Sequence, residues 1–231
     1  MSTHANPQSF SGLALWLVST NAGRDSDRDH DRDATPTLKE IQRHLVRANR
    51  GSVEFGIHAT LLSGLDAGLA SASARNVDDF STATATATAT ANGGGLEVEF
   101  QDVTTRGMYF QCILVSLVKT PALASLNHIV AKQFKNPTSA PSAPSASGSA
   151  SSSAEQTYFP HISLLYADLD EQAATQQIQD LEHDGYFTRH SIGEEHGDKD
   201  GKLNHVQVVD CNGPPDAWKV LRSVAIPPLQ A

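Results

Sequence analysis

Tyr158–Leu169 reads YFPHISLLYADL. It carries a His-x-Ser step, His161 and Ser163, inside an apolar run of β-branched and aromatic residues. A short run of that kind bounded by loop signals predicts a strand. Residues two apart on a strand share a face, so His161 and Ser163 point one way and Ile162 and Leu164 the other. A second copy lies in Phe55–Leu62, FGIHATLL, where His58 and Thr60 take the same places opposite Ile57, Ala59 and Leu61. Two strands that each present an imidazole and a hydroxyl predict one site built from a duplicated element, the copies facing each other across a cleft.

The elements around the two copies repeat as well. Leu13–Val18, LALWLV, reads as a buried strand. Thr35 or Thr37 can cap a helix whose first turn suits Pro36, and Glu40 can complete a capping box with Thr37. Leu38, Ile41 and Leu45 face inward, and Gly51 offers a stop. Leu96–Val103 and Tyr109–Val118 read as two strands of a hairpin turning at Gly107. Thr120-Pro121 opens a helix with Leu123, Leu126, Val130 and Phe134 inward. Asp170 caps a further helix with Ala174, Ile178 and Leu181 inward and Gly185 at its end. Tyr186–Ile192, Leu203–Val209 and Trp218–Ile226 read as three last strands. This order of strand, helix and His-strand, twice over, predicts an α+β fold of two similar lobes forming one domain over residues 10–231. Three inserts of low complexity, at 21–34, 70–95 and 136–157, interrupt it. Within the second, a short helix near Asn76–Phe80 is expected.

Composition narrows the function. Seventeen Lys and Arg against 26 Asp and Glu leave a formal net charge of −9. So acidic a surface repels a long phosphate backbone, while a small anion held by local donors remains compatible with it. No run of roughly eighteen apolar residues and no basic-then-apolar leader is present, which predicts an intracellular protein with no transmembrane segment. Cys112 and Cys211 stand in apolar strand-like surroundings without metal-ligand spacing and read as packing residues.

Imidazole titrates near pH 6.5, so one histidine of an opposed pair can accept a proton while the other donates one. The neighbouring Thr60 and Ser163 hydroxyls are suited to donating hydrogen bonds to phosphate oxygens. Base, acid and phosphate grip together fit hydrolysis of a cyclic phosphodiester with neither metal nor cofactor.

HATLL and HISLLY, with LALWLV before them and YFQCILVSLV between, resemble the two-histidine (2H) phosphoesterase superfamily. The likeness is strongest to its fungal 2',3'-cyclic-nucleotide 3'-phosphodiesterases. The resemblance implies a two-lobed α+β fold with antiparallel sheets lining a central cleft and helices outside. It implies opening of ADP-ribose 1'',2''-cyclic phosphate, a by-product of tRNA splicing, and of nucleoside 2',3'-cyclic phosphates to 2'-phosphates. His161 would then activate water, His58 would protonate the leaving oxygen, and Thr60 and Ser163 would hold the phosphate. Trp16 and Tyr166 match positions where relatives place aromatic rings beside the nucleobase. Alternation puts Tyr166 on the face opposite His161, so it reaches the site only where the strand ends or bulges first. The expected partner is a small cyclic nucleotide, bound by a monomeric cytoplasmic protein, with Golgi association a further implication of the fungal likeness. Two other readings compete. An enzyme acting on RNA ends, such as a 2'-5' ligase, would want a basic channel that the charge balance does not supply. A non-catalytic nucleotide-binding module would need no matched acid–base pair.

Overall fold

The computed structural model describes residues 10–19, 37–65, 95–135, 158–187 and 202–226. The expected inserts, and the short helix near Asn76–Phe80, lie outside the described residues, apart from Gly95 at the edge of the second insert. In chain order the elements are β1 (Leu13–Val18), α1 (Leu38–Ala48), β2 (Ala59–Leu65), β3 (Leu96–Glu97), β4 (Phe100–Thr104), β5 (Ile113–Leu117), α2 (Pro121–Lys135), β6 (His161–Leu165), α3 (Glu171–His183), β7 (Lys202–Leu203), β8 (His205–Asp210) and β9 (Lys219–Ala225). Seven strands form one antiparallel sheet in the order β4-β5-β6-β2-β1-β8-β9, and β3 pairs with β7 separately. The fold is α+β, as the sequence predicts.

The duplication is visible in the sheet. β1-α1-β2 forms one half and β5-α2-β6 the other, each with its two strands paired antiparallel. The halves join where β2 and β6 overlap at their first residues, with Ala59 opposite Ile162. The helices cross the joint: α1 packs on β6 and α2 on β2. Each half therefore covers the other half's His-strand, which ties the two into one core.

Helix boundaries follow the sequence signals. The Thr37 side chain accepts from the Glu40 amide, and the Glu40 carboxylate accepts from the Thr37 amide at 2.7 Å. The Asp170 carboxylate accepts from the Ala173 amide at 2.7 Å, and the Thr120 hydroxyl accepts from the Leu123 amide at 3.3 Å. Each cap satisfies a helix-end N–H that would otherwise lack a partner. The inward stripes of all three helices are buried as read. Two polar ties add orientation: Asn49 of the α1 cap and Gln177 of α3 exchange amide hydrogen bonds at 2.9 and 3.0 Å, and Asn127 of α2 donates to Leu61 O of β2 at 2.7 Å.

Four strand readings need correction. The chain from Ser52 to His58 has no regular structure, and β2 begins at Ala59, so His58 stands just before the strand. Leu96–Val103 is broken at Val98–Glu99 into β3 and β4, which belong to different sheets. Tyr109 and Phe110 lie in the turn of the β4–β5 hairpin and not in β5, because the chain reverses at Gly107, φ +61°. Tyr186 and Phe187 are not strand. Tyr186 follows the helix stop at Gly185, φ +78°, and its hydroxyl meets His44 Nδ1 at 2.8 Å, while residues 188–192 lie outside the described set. In each case a local contact overrides an apolar run that periodicity alone cannot assign.

The sheet has a helix face and a site face. Leu13, Leu15, Leu17, Ala59, Leu61, Val115 and Ile162 belong to the main core under the helices. Ala14, Trp16 and Val18 point the other way and pack with Val209, Cys211, Phe10 and Trp218. Cys112 and Cys211 are buried free thiols.

Candidate active site

Ala59 and Ile162 face the core where β2 meets β6. Alternation then puts His58 and Thr60 on the site face, and His161 and Ser163 with them. Antiparallel register sets Thr60 across from His161 and Ser163 across from His58. The two motifs interleave on one sheet face as hydrogen-bonded neighbours, so each hydroxyl stands opposite the imidazole of the other copy. Sequence reading placed the copies on opposed sides of a cleft. The sheet places them side by side, because both strands begin at the joint.

Both imidazoles are held alike. His58 Nδ1 lies 2.6 Å from Gly56 O, and His161 Nδ1 lies 2.9 Å from Phe159 O. A carbonyl oxygen can only accept, so each Nδ1 carries the hydrogen. That selects the tautomer in which Nε2 is a lone pair when the ring is neutral and a donor when it is charged. In both copies the acceptor is the carbonyl two residues upstream. The duplication therefore extends from the side chains to the main chain that orients them. The segment before His58 is itself anchored: Lys39 Nζ donates to Phe55 O at 3.1 Å and Ser52 Oγ to Tyr166 O at 3.1 Å.

Burial makes both histidines weak bases. His58 is only 2 % exposed and lies under the Trp16 ring, centroids 3.6 Å apart and planes at 11°. Loss of hydration and, less strongly, the nearby His161 lower its pKa to about 4, against the opposing bond to Gly56 O. His161, 9 % exposed, is also lowered, first by burial and then by the positive charge of Arg106, with the Phe159 O bond opposing. Both shifts favour the uncharged ring.

The hydroxyls differ. Ser163 Oγ donates to Phe110 O at 3.2 Å and must turn from that carbonyl to grip a ligand. Thr60 is partly buried, and no hydrogen bond engages its side chain among the described residues. Tyr166 does reach the site face. β6 ends at Leu165, its register with β5 shifts between Ile113 and Leu114, and the Tyr166 ring meets Trp218, which packs with Trp16 on that face. The tyrosine ring stacks on Phe55 at 3.9 Å and is 5 % exposed, and burial raises its phenol pKa. Trp16 and Tyr166 thus wall the site from behind the histidine and the serine.

Several residues here escaped the sequence reading. Phe110 and Trp218 complete the aromatic wall with Trp16 and Tyr166. Phe159 stacks on His161, centroids 5.5 Å apart, and Arg106 lies over the Phe159 ring at 4.8 Å. Phe159, two residues before a motif histidine, was legible as an orienting position only through its carbonyl, which has no signature in sequence.

A face with two tautomer-locked imidazoles and two hydroxyls in reciprocal register has the make-up of a two-histidine phosphoesterase. Residues 12–226 match the cyclic phosphodiesterase-like protein family, and the chain belongs to it. No curated protein matches the chain. Among the described residues no helix is long and apolar enough to cross a membrane.

Proposed function

We propose that this protein hydrolyses nucleoside 2',3'-cyclic phosphates to 2'-phosphates and ADP-ribose 1'',2''-cyclic phosphate to the 1''-phosphate, in the metabolism of tRNA-splicing by-products. The reading rests on one observation above all: both motif histidines carry their hydrogen on Nδ1 and leave Nε2 for the ligand. His161 Nε2 takes a proton from water as the water oxygen attacks phosphorus. The bond from phosphorus to the leaving sugar oxygen breaks, and the Nε2–H of His58, charged in the complex because the anionic substrate favours the protonated ring, protonates that oxygen. Thr60 and Ser163 hydroxyls donate to the non-bridging oxygens, where charge accumulates in the transition state. Each half of the proton traffic contributes on the order of 10²–10⁴ in rate. No step calls for a metal ion or a cofactor.

The test is a phosphorus NMR time course with 2',3'-cyclic AMP and ADP-ribose 1'',2''-cyclic phosphate in excess EDTA. Conversion to a single monoester, lost in His161→Ala and in His58→Ala while nucleotide binding persists, is the expected result. Absence of turnover by the folded wild-type protein, or equal loss of binding and turnover in the variants, would sink the proposal.

A further inference from the structure

Beside His161, on the β4–β5 flank of the site, lies a polar cavity of about 340 Å³ lined by Asp102, Thr104, Thr105, Arg106, Ser116 and Phe159. It opens on the site face. Ser116 pairs in register with His161, and Asp102 pairs with Ser116, so the floor of the cavity continues the row that carries the histidine.

We propose that this cavity is a second anion subsite, in which Arg106 and Thr105 bind a phosphate of the substrate other than the one being hydrolysed. The inference rests on the cyclic phosphodiesterase reading above and assigns residues to the non-reacting phosphate of substrates that carry one.

Three observations converge on Arg106. Its guanidinium is held in place, lying over Phe159 at 4.8 Å, while Phe159 in turn stacks on His161. These two contacts keep the charge within roughly 10 Å of the His161 ring, about the screening length of dilute salt. The arginine is exposed, and among the described residues no carboxylate pairs with it. In a chain of net charge −9, a cation left unpaired beside the reacting centre is well placed for an anionic ligand. Its backbone is fixed too: Arg106 N donates to Gln111 O at 3.1 Å across a tight turn with Gly107 at φ +61°.

Thr105 supplies the second donor. Its Oγ1 accepts from the Gly107 amide at 3.1 Å, which leaves the hydroxyl hydrogen free to donate. Asp102 also lines the cavity, and its carboxylate repels an anion, so the Arg106–Thr105 end is the one that favours a phosphate. Ser116 contributes no donor, because its hydroxyl is engaged with Asp102 O at 3.1 Å. A planar guanidinium already seated on an aromatic ring loses little freedom on gripping two phosphate oxygens, which is the geometry this residue type favours.

The experiment compares kcat/KM of the full-length protein for 2',3'-cyclic AMP and for its 5'-phosphorylated form, adenosine 5'-phosphate 2',3'-cyclic phosphate. The wild type is expected to prefer the 5'-phosphorylated substrate. Arg106→Ala should cost that substrate about tenfold more than it costs 2',3'-cyclic AMP, the lower end of what a charge-assisted hydrogen bond contributes. The difference should appear in KM, and Arg106→Lys should recover part of it. Equal loss on both substrates would overturn the subsite and place Arg106 at the reacting phosphate. A wild type indifferent to the 5'-phosphate would overturn it as well. Turnover of neither nucleotide is a separate pattern, which removes the catalytic reading and this inference with it.

Discussion

Ala59 and Ile162 are partners in the overlap that joins the two halves of the sheet, and both face the core. Their pairing is what interleaves His58, Thr60, His161 and Ser163. A slip of one residue in either strand would turn its histidine and hydroxyl toward the helices. The site therefore depends on the register of β2 against β6, which their pairings with β1 and β5 also hold.

The rate should peak on the acid side. Productive free protein needs one neutral and one charged imidazole, and burial lowers His58 to about 4 and His161 below its ordinary value. The pair titrates as a unit, so kcat/KM should be bell-shaped with its maximum below pH 6.5, falling about tenfold per pH unit on the alkaline limb. The profile of kcat should lie at higher pH, because a bound anion favours the charged ring. A kcat/KM that climbed steadily from pH 5 to 9 would exclude this pairing.

Stability should fall in acid over a defined window. His58 is buried uncharged, and its folded pKa lies below its unfolded value near 6.5. The unfolded chain then binds the extra proton between those two values, so this contribution is complete above about pH 6.5 and is lost as pH falls toward 4. The loss from His58 should approach about 3 kcal/mol, and His161 adds in the same direction. Urea midpoints between pH 4 and 8 measure it; a His58→Gln variant should show a flatter dependence.

Trp16 should set the acidity of His58. With the indole 3.6 Å from the imidazole, replacing it by the smaller ring in Trp16→Phe admits water beside His58. The His58 pKa, followed by imidazole NMR, should rise from about 4 toward 6.5, and the alkaline limb of kcat/KM should move up with it. An unmoved pKa would mean that burial from the β2 side alone keeps the ring neutral.

The hydroxyls should matter in turnover and unequally in stability. Thr60→Val keeps the shape and removes the donor, at a cost of about 10- to 100-fold in kcat/KM that Thr60→Ser should largely restore. Ser163→Ala should cost a similar factor and also some stability, since Ser163 Oγ bonds Phe110 O in the resting fold. Wild-type kinetics in Thr60→Val would remove Thr60 from the phosphate grip.

Gly12 should tolerate no side chain. It sits at φ +96°, and a Cβ there would lie 2.6 Å from Leu65 O across the β1–β2 pair. Gly12→Ala should destabilise by about 2–4 kcal/mol through combined strain and collision, read as a lower urea midpoint with the same m-value. An unchanged midpoint would show that the strand ends can move apart freely.

Much of this was legible in the residues. The doubled His-x-hydroxyl step, the three helix caps and their apolar stripes are local patterns, and local patterns act over spacings of two to four residues that the sequence displays directly. They led to an α+β fold with two copies of one unit and to four candidate residues that the β2–β6 register brings onto one sheet face. Strand limits were less legible. His58 was read into β2 but precedes it, and Tyr109–Phe110 was read into β5 but forms a turn, because apolar runs do not reveal where pairing begins.

What remained hidden was everything that depends on contacts between distant segments. No spacing announces that the carbonyls of Gly56 and Phe159 fix both tautomers, since main-chain atoms carry no residue signature. Nor does any spacing bring Trp16 onto His58 or Arg106 onto Phe159. Side-chain chemistry travels with the chain, whereas acidity and orientation are set by burial and by neighbours that only a folded core brings within a few ångströms.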